Sequence, residues 1–101
     1  MATVVEVTRP VTAGGRSMAK YVYGALKGQG VSDDIIKEII KMLNKWAIKH
    51  DLEGKEITFD LELIKDNEDY TSINIKNVKI WEPVRTMDNV YSLSFDSQRN
   101  S

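Results

Sequence analysis

The sequence predicts an α+β fold: a two-layer sandwich in which two helices pack on one face of a small, mostly antiparallel sheet that contains a long β-hairpin. Three observations carry this expectation. Residues 17–50 place apolar side chains at helical spacing, residues 57–80 alternate with the period of a strand, and a β-branched run at 3–8 precedes both. A chain of 101 residues makes one domain, 1–101, with a frayed tail expected at about 96–101.

The elements follow in order. TVVEVT (3–8) is valine-rich and reads as a strand. RPVTAGG (9–15) reads as a loop, broken by Pro10 and two glycines. From Ser17, Met18, Tyr21, Val22, Ala25 and Leu26 line one helical face, and Gly28 and Gly30 stop it. Ser32-Asp33-Asp34 opens a second helix at about 32–50, with serine placed to cap and the aspartates suited to the positive end of the dipole. Its stripe of Ile36, Ile39, Ile40, Leu43, Trp46 and Ala47 is the strongest periodic signal in the chain.

After Gly54 the period falls to two. Ile57, Phe59, Leu61 and Leu63 alternate with Thr58, Asp60 and Glu62, giving a strand with one buried face. KDNEDYT (65–71) reads as a polar connection. Ile73 and Ile75 then fall out of phase with Val78 and Ile80, which predicts a β-bulge near Lys76-Asn77. Pro83 ends that strand, and 90–95 (VYSLSF) adds an edge strand.

Composition narrows function. Apolar residues at 42% and charged residues at 29% are ordinary for a globular domain. No apolar run reaches the roughly 18–20 residues of a membrane span, and the N-terminus lacks the pattern of a secretory signal. The absence of cysteine removes disulfides and thiolate chemistry, so a cytoplasmic location is the expectation. The net charge of −1 conceals a division. Residues 1–50 carry eight Lys/Arg against four Asp/Glu, and residues 51–101 carry six against eleven.

Catalytic and cofactor motifs find no support. GALKGQGVS (24–32) has glycines that trail a helix, whereas a phosphate loop leads out of a strand and ends in Gly-Lys-Ser/Thr. GQG likewise lacks the third glycine of a dinucleotide site. His50 is the lone histidine and sits where it would cap the second helix. Asp66, Glu68 and Asp69 lack the glycine and terminal glutamate of a calcium loop, and Asp60 and Glu62 fit an exposed strand face. No catalytic residue, metal site or cofactor is expected, and the chain reads as a binding module instead of an enzyme.

Basic residues carry the positive expectation. Lys37, Lys41, Lys45 and Lys49 recur every four positions, drifting about 40° per step, and form one ridge opposite the apolar stripe. Like charges at that spacing cost helix stability by a few tenths of a kcal/mol per pair. Either the ridge serves phosphate, or it is an ordinary solvated face. Arg16 and Lys20 frame the start of the first helix, where backbone N–H groups attract anions. Tyr23 falls off the core stripe and is free to meet solvent or a partner.

Residues 14–36, GGRSMAKYVYGALKGQGVSDDII, resemble the opening of Alba-type nucleic-acid-binding domains, and 57–81 has the form of that family's long hairpin. The resemblance implies nucleic-acid binding, with Arg16 where the family carries a basic contact. The chain departs from the family by lacking a strand between its helices, by lacking the Gly-Arg that opens the second helix, and by an acidic hairpin tip, KDNEDY. The functional expectation is a small module that binds RNA or DNA mainly through backbone charge, using Arg16, Lys20, Lys37, Lys41, Lys45 and Lys49, with a homodimer compatible with its size. The competing expectation is a protein–protein interaction or regulatory accessory module with no nucleic-acid activity, using an edge strand, the acidic hairpin or Trp81.

Overall fold

The computed structural model of the chain describes residues 2–95. Its elements are β1 (Ala2–Thr12), α1 (Arg16–Gly28), α2 (Asp33–Lys49), β2 (Glu56–Asp66), β3 (Asp69–Trp81), β4 (Val84–Met87) and β5 (Tyr91–Ser94). Every strand pairing is antiparallel, in the order β1-β2-β3-β4, with β5 also on β3. β4 and β5 share one edge of β3, β4 beside Val78–Trp81 and β5 beside Ser72–Ile75. Both helices cover the same face of this sheet, as the sequence predicts. The frayed tail expected at 96–101 lies outside the described residues.

The core explains why the helices sit there. Val5, Val7 and Val11 of β1, Ile57, Phe59, Leu61 and Leu63 of β2, and Ile73, Ile75, Val78 and Ile80 of β3 are all buried on one side of the sheet. Met18, Val22 and Leu26 of α1 and Ile36, Ile39, Leu43, Trp46 and Ala47 of α2 close over them. An apolar stripe on each helix meets an apolar side on each strand, and no charged or polar residue among those described is fully buried.

Two expectations fail at strand ends. The loop drawn at 9–15 is too long, because β1 continues to Thr12. Val7 pairs with Phe59 and Val11 with Ile57, so Thr8-Arg9-Pro10 stand opposite Thr58 alone. A bulge of this kind lets a strand hold a proline without losing a ladder bond. The connection drawn at 65–71 shrinks to Asn67-Glu68, since Lys65 pairs with Tyr70 and Asp66 with Asp69. Asn67 takes φ 58°, a left-handed conformation that asparagine tolerates. Backbone pairing persists there without side-chain burial, which hydropathy does not register. β4 was not foreseen either; its VRTM is mostly exposed and too short to show a period.

The expected phase slip is real. Thr58 pairs with Lys79 and Asp60 with Lys76, leaving Asn77 and Val78 opposite Phe59. Asn77 adopts φ 57°, and that one turn of backbone puts Val78 and Ile80 on the same side as Ile73 and Ile75.

The glycines after α1 are a helix stop. Gly30 has φ 85°, its N–H donates to the Lys27 carbonyl at 3.0 Å, and the Val31 N–H donates to the Leu26 carbonyl at 3.1 Å. This is a Schellman ending, sealed by buried Leu26 and Val31. α2 ends the same way with Asp51 at φ 59°: Leu52 N–H donates to Ala47 O at 2.8 Å. Residues 29–32 link the helices with no strand between them.

Candidate functional site

The helices form an antiparallel pair. At one end the Lys27 ammonium lies 2.8 Å from Asp33 Oδ1, and the Tyr23 hydroxyl donates to the same oxygen at 3.1 Å. At the other end a Cβ placed on Gly14 would sit 3.9 Å from the Ala47 Cβ. α1 also runs along β1, with the Tyr21 hydroxyl donating to the Glu6 carbonyl at 3.2 Å and the Gln29 amide to the Val4 carbonyl at 3.3 Å. Those carbonyls belong to the outer edge of β1, so α1 side chains occupy an edge that would otherwise be open to another strand. Tyr23, expected to meet solvent or a partner, is 38% exposed, and its hydroxyl engages Asp33 of its own chain.

This joint perturbs its charges. The Lys27 hydrogen bond, then that of Tyr23, holds the Asp33 carboxyl below its ordinary range, with Lys37 adding attraction. The same bond raises Lys27. Both groups are exposed, so the pair is a hinge clasp of small energetic weight. Sequence reasoning had no signal for it, because a six-residue separation across a turn has no characteristic spacing.

The six predicted residues are all exposed on the outward side of the helix layer. At about 100° per residue, Lys41 points directly away from the buried stripe, Lys37 leans towards α1, and Lys45 and Lys49 lean progressively towards the opposite flank. By the same spacing Lys20 points away from the buried stripe of α1, and Arg16 leans towards the flank on which Tyr23 meets α2. The ridge therefore crosses the layer diagonally, and Ile48, 60% exposed, stands on the α1 side of its C-terminal half. The structure brings the six onto one layer without joining them in a single row. The two helices together carry seven basic residues against Asp33, Asp34 and Glu38.

Other candidates resolve into local structure. Ser32 occupies the N-cap position of α2, yet its hydroxyl makes no capping bond. His50 does end α2, as expected, but its ring packs 4.5 Å from Tyr91 and 6.2 Å from Trp46 between ring centroids. Trp46 also meets Phe59 and Tyr91, so an aromatic cluster ties the end of α2 to β2 and β5.

The sheet's uncovered side is a polar lattice. Asn77 donates to Asp60 at 2.7 Å, Asn74 donates to Glu62 at 3.0 Å and accepts from the Ser92 hydroxyl at 2.7 Å, and Lys76 lies 3.6 Å from Glu62. The Asn74 bond chiefly, with Lys76 behind it, lowers the Glu62 carboxyl. Trp81 lies on this side with its indole N–H donating to Thr58 at 3.1 Å and the Lys79 ammonium 3.9 Å above its ring. Where β4 gives way to β5, opposite the Asn77 bulge, a cleft of about 350 Å³ opens among Lys76, Thr86, Asp88 and Val90.

Among the described residues no group of three or more His, Asp or Glu is arranged to hold a metal ion, and no helix is long and apolar enough to cross a membrane. Comparison with models of known families, with characterised proteins and with solved structures finds no match. Fold and surface together define a class: a small α+β two-layer module with a basic helical face and a polar, acid-rich open sheet face.

Proposed function

We propose that the chain is a nucleic-acid-binding module that holds RNA or DNA mainly by backbone charge, through the solvent face of α1 and α2. The observation that supports it most is the exposure of Arg16, Lys20, Lys37, Lys41, Lys45 and Lys49 on one layer with few carboxylates among them. Neutralising phosphates there releases counterions, a sequence-independent source of affinity. Phosphate contacts of this kind position a strand without reading its bases. The resemblance to Alba-type domains belongs to the same proposal. Binding without catalysis fits the site chemistry, since the lone histidine is stacked among aromatic rings and Glu62 is committed to Asn74.

Gel retardation of mixed RNA and DNA probes tests it. Six phosphate contacts set an upper slope of about −4 to −5 in log K against log salt, or roughly a hundredfold or more lost between 50 and 200 mM. Lys41→Glu with Lys45→Glu should flatten that slope by about 2 and weaken binding to every sequence alike. Absence of retardation at about 50 mM salt overturns the proposal. The accessory-module reading draws its support from the acidic hairpin tip, and nuclease-resistant capture of one stoichiometric protein would favour it.

A further inference from the structure

The β2–β3 hairpin outruns its neighbours. Among the described residues β1 pairs as far as Ile64 and β5 as far as Ser72, with one further bond from the Phe95 N–H to the Thr71 carbonyl at 3.0 Å, so the rungs Lys65–Tyr70 and Asp66–Asp69 have no described strand on either side. The projecting finger carries Asp66, Glu68 and Asp69, all exposed, against one lysine, and the Lys65 ammonium rests 5.2 Å from the Tyr70 ring centroid. The molecule is elongated, 42 × 25 × 22 Å.

The finger projects from the end where α1 finishes and α2 begins, and much of the basic face lies towards the other end. Ala2 pairs with Ile64 near the tip and Thr12 with Glu56 at the far end. α1 begins at that far end, where Ser17 Oγ accepts from Thr12 N–H at 2.8 Å, and α2 returns to it, where Gly54 N–H donates to Ala13 O at 2.9 Å. Arg16, Lys20, Lys45 and Lys49 therefore lie towards the end opposite the finger. Trp46, beside Lys45, packs on Phe59 and on Tyr91 at the level of Leu61, so strand rise puts Lys45 roughly 20 Å along the axis from Asp66, about two Debye lengths at 0.1 M salt.

We infer that the basic face of the helix layer is a docking surface for a second copy of this chain, which presents its acidic β2–β3 finger. Charge complementarity selects this occupant: a face with seven basic and three acidic residues meets a finger whose three carboxylates make no ion pair among the described residues. A total charge of −1 leaves no long-range repulsion to keep copies apart. The contact joins two different surfaces, so it is heterologous. Each bound copy leaves one finger and one basic face open, and the assembly grows head to tail until it closes or is interrupted. The inference needs no nucleic acid. A polyanion on the same face competes with the finger.

Heterologous contact has a signature that mixing experiments read. Sedimentation velocity of the wild type at about 20 mM salt should show average mass rising with concentration, and a single monomer boundary at about 500 mM. A finger variant, Asp66→Asn with Glu68→Gln and Asp69→Asn, and a face variant, Lys41→Gln with Lys45→Gln and Lys49→Gln, remove charge without reversing it and should each stay monomeric. Mixed in equal amounts they should form only a terminated pair between the face variant's finger and the finger variant's face. Circular dichroism of each variant establishes that it is folded. A wild type that is monomeric at 20 mM salt overturns the inference, as does a folded finger variant that associates like the wild type. Failure here leaves probe retardation untouched, so the two proposals fail separately.

Discussion

Leu61 and Glu62 are neighbours on β2, yet they live in different solvents. Leu61 is wholly buried under the helices, while Glu62 lies on the open side with Asn74 and Lys76 for company. On the covered side shape decides: the buried side chains of the strands and the stripes of α1 and α2 form one apolar cluster. On the open side hydrogen bonds hold a lattice that water can replace. One strand thus shows that stability resides on the helix-facing side, leaving the remaining surface free to vary in charge.

The contrast is sharpest where volume is removed from the covered side. Leu61→Ala should cost about 2–5 kcal/mol in denaturant unfolding, because the deleted methyl groups leave a cavity that a sheet flanked by two strands closes poorly. Glu62→Ala, one residue away, should cost far less. Equal losses at the two positions would break the comparison and show that the lattice is as structural as the core.

The Asn77 bulge links the two sides and gives the next effect. Its left-handed φ switches the phase of β3, and its amide holds Asp60. Asn77→Val puts a β-branched residue where φ is positive and removes that bond, so a loss of roughly 1–3 kcal/mol is expected. Asn77→Gly loses the bond while keeping the conformation, and thermal unfolding should place it between Asn77→Val and the wild type.

These same particulars show what the sequence could disclose. Ile73, Ile75, Val78 and Ile80 must all reach one core, so a parity change near Asn77 was legible in the sequence. α2 was legible because a stripe from Ile36 to Ala47 admits no other period. β1 was cut short since Pro10 reads as a breaker, and only pairing across to Ile57 reveals the bulge that absorbs it. The residues of the basic face were legible as a spacing along α2. Their diagonal course over the layer, and the engagement of Tyr23 and Lys27 with Asp33, depend on how two helices meet, which no single-helix period encodes.

The smallest expected effect concerns charge on the open side. Glu62 titrates below its ordinary value because the Asn74 amide and then the Lys76 ammonium favour the carboxylate. A carboxyl depressed in the folded state contributes stability above its unfolded pKa, about 4.3, and that contribution fades as pH falls through the lower folded value. Wild type and Asn74→Ala should therefore differ most above about pH 5 and converge as the solution becomes acidic. Carboxyl NMR titration should show the Glu62 midpoint rising in Asn74→Ala, with the Asp33 midpoint unmoved because its partners lie across the helix joint. A gap in stability that stays constant into acid would assign the Asn74 contribution to the Ser92 hydroxyl, and the lattice would then be held by neutral bonds instead of charge.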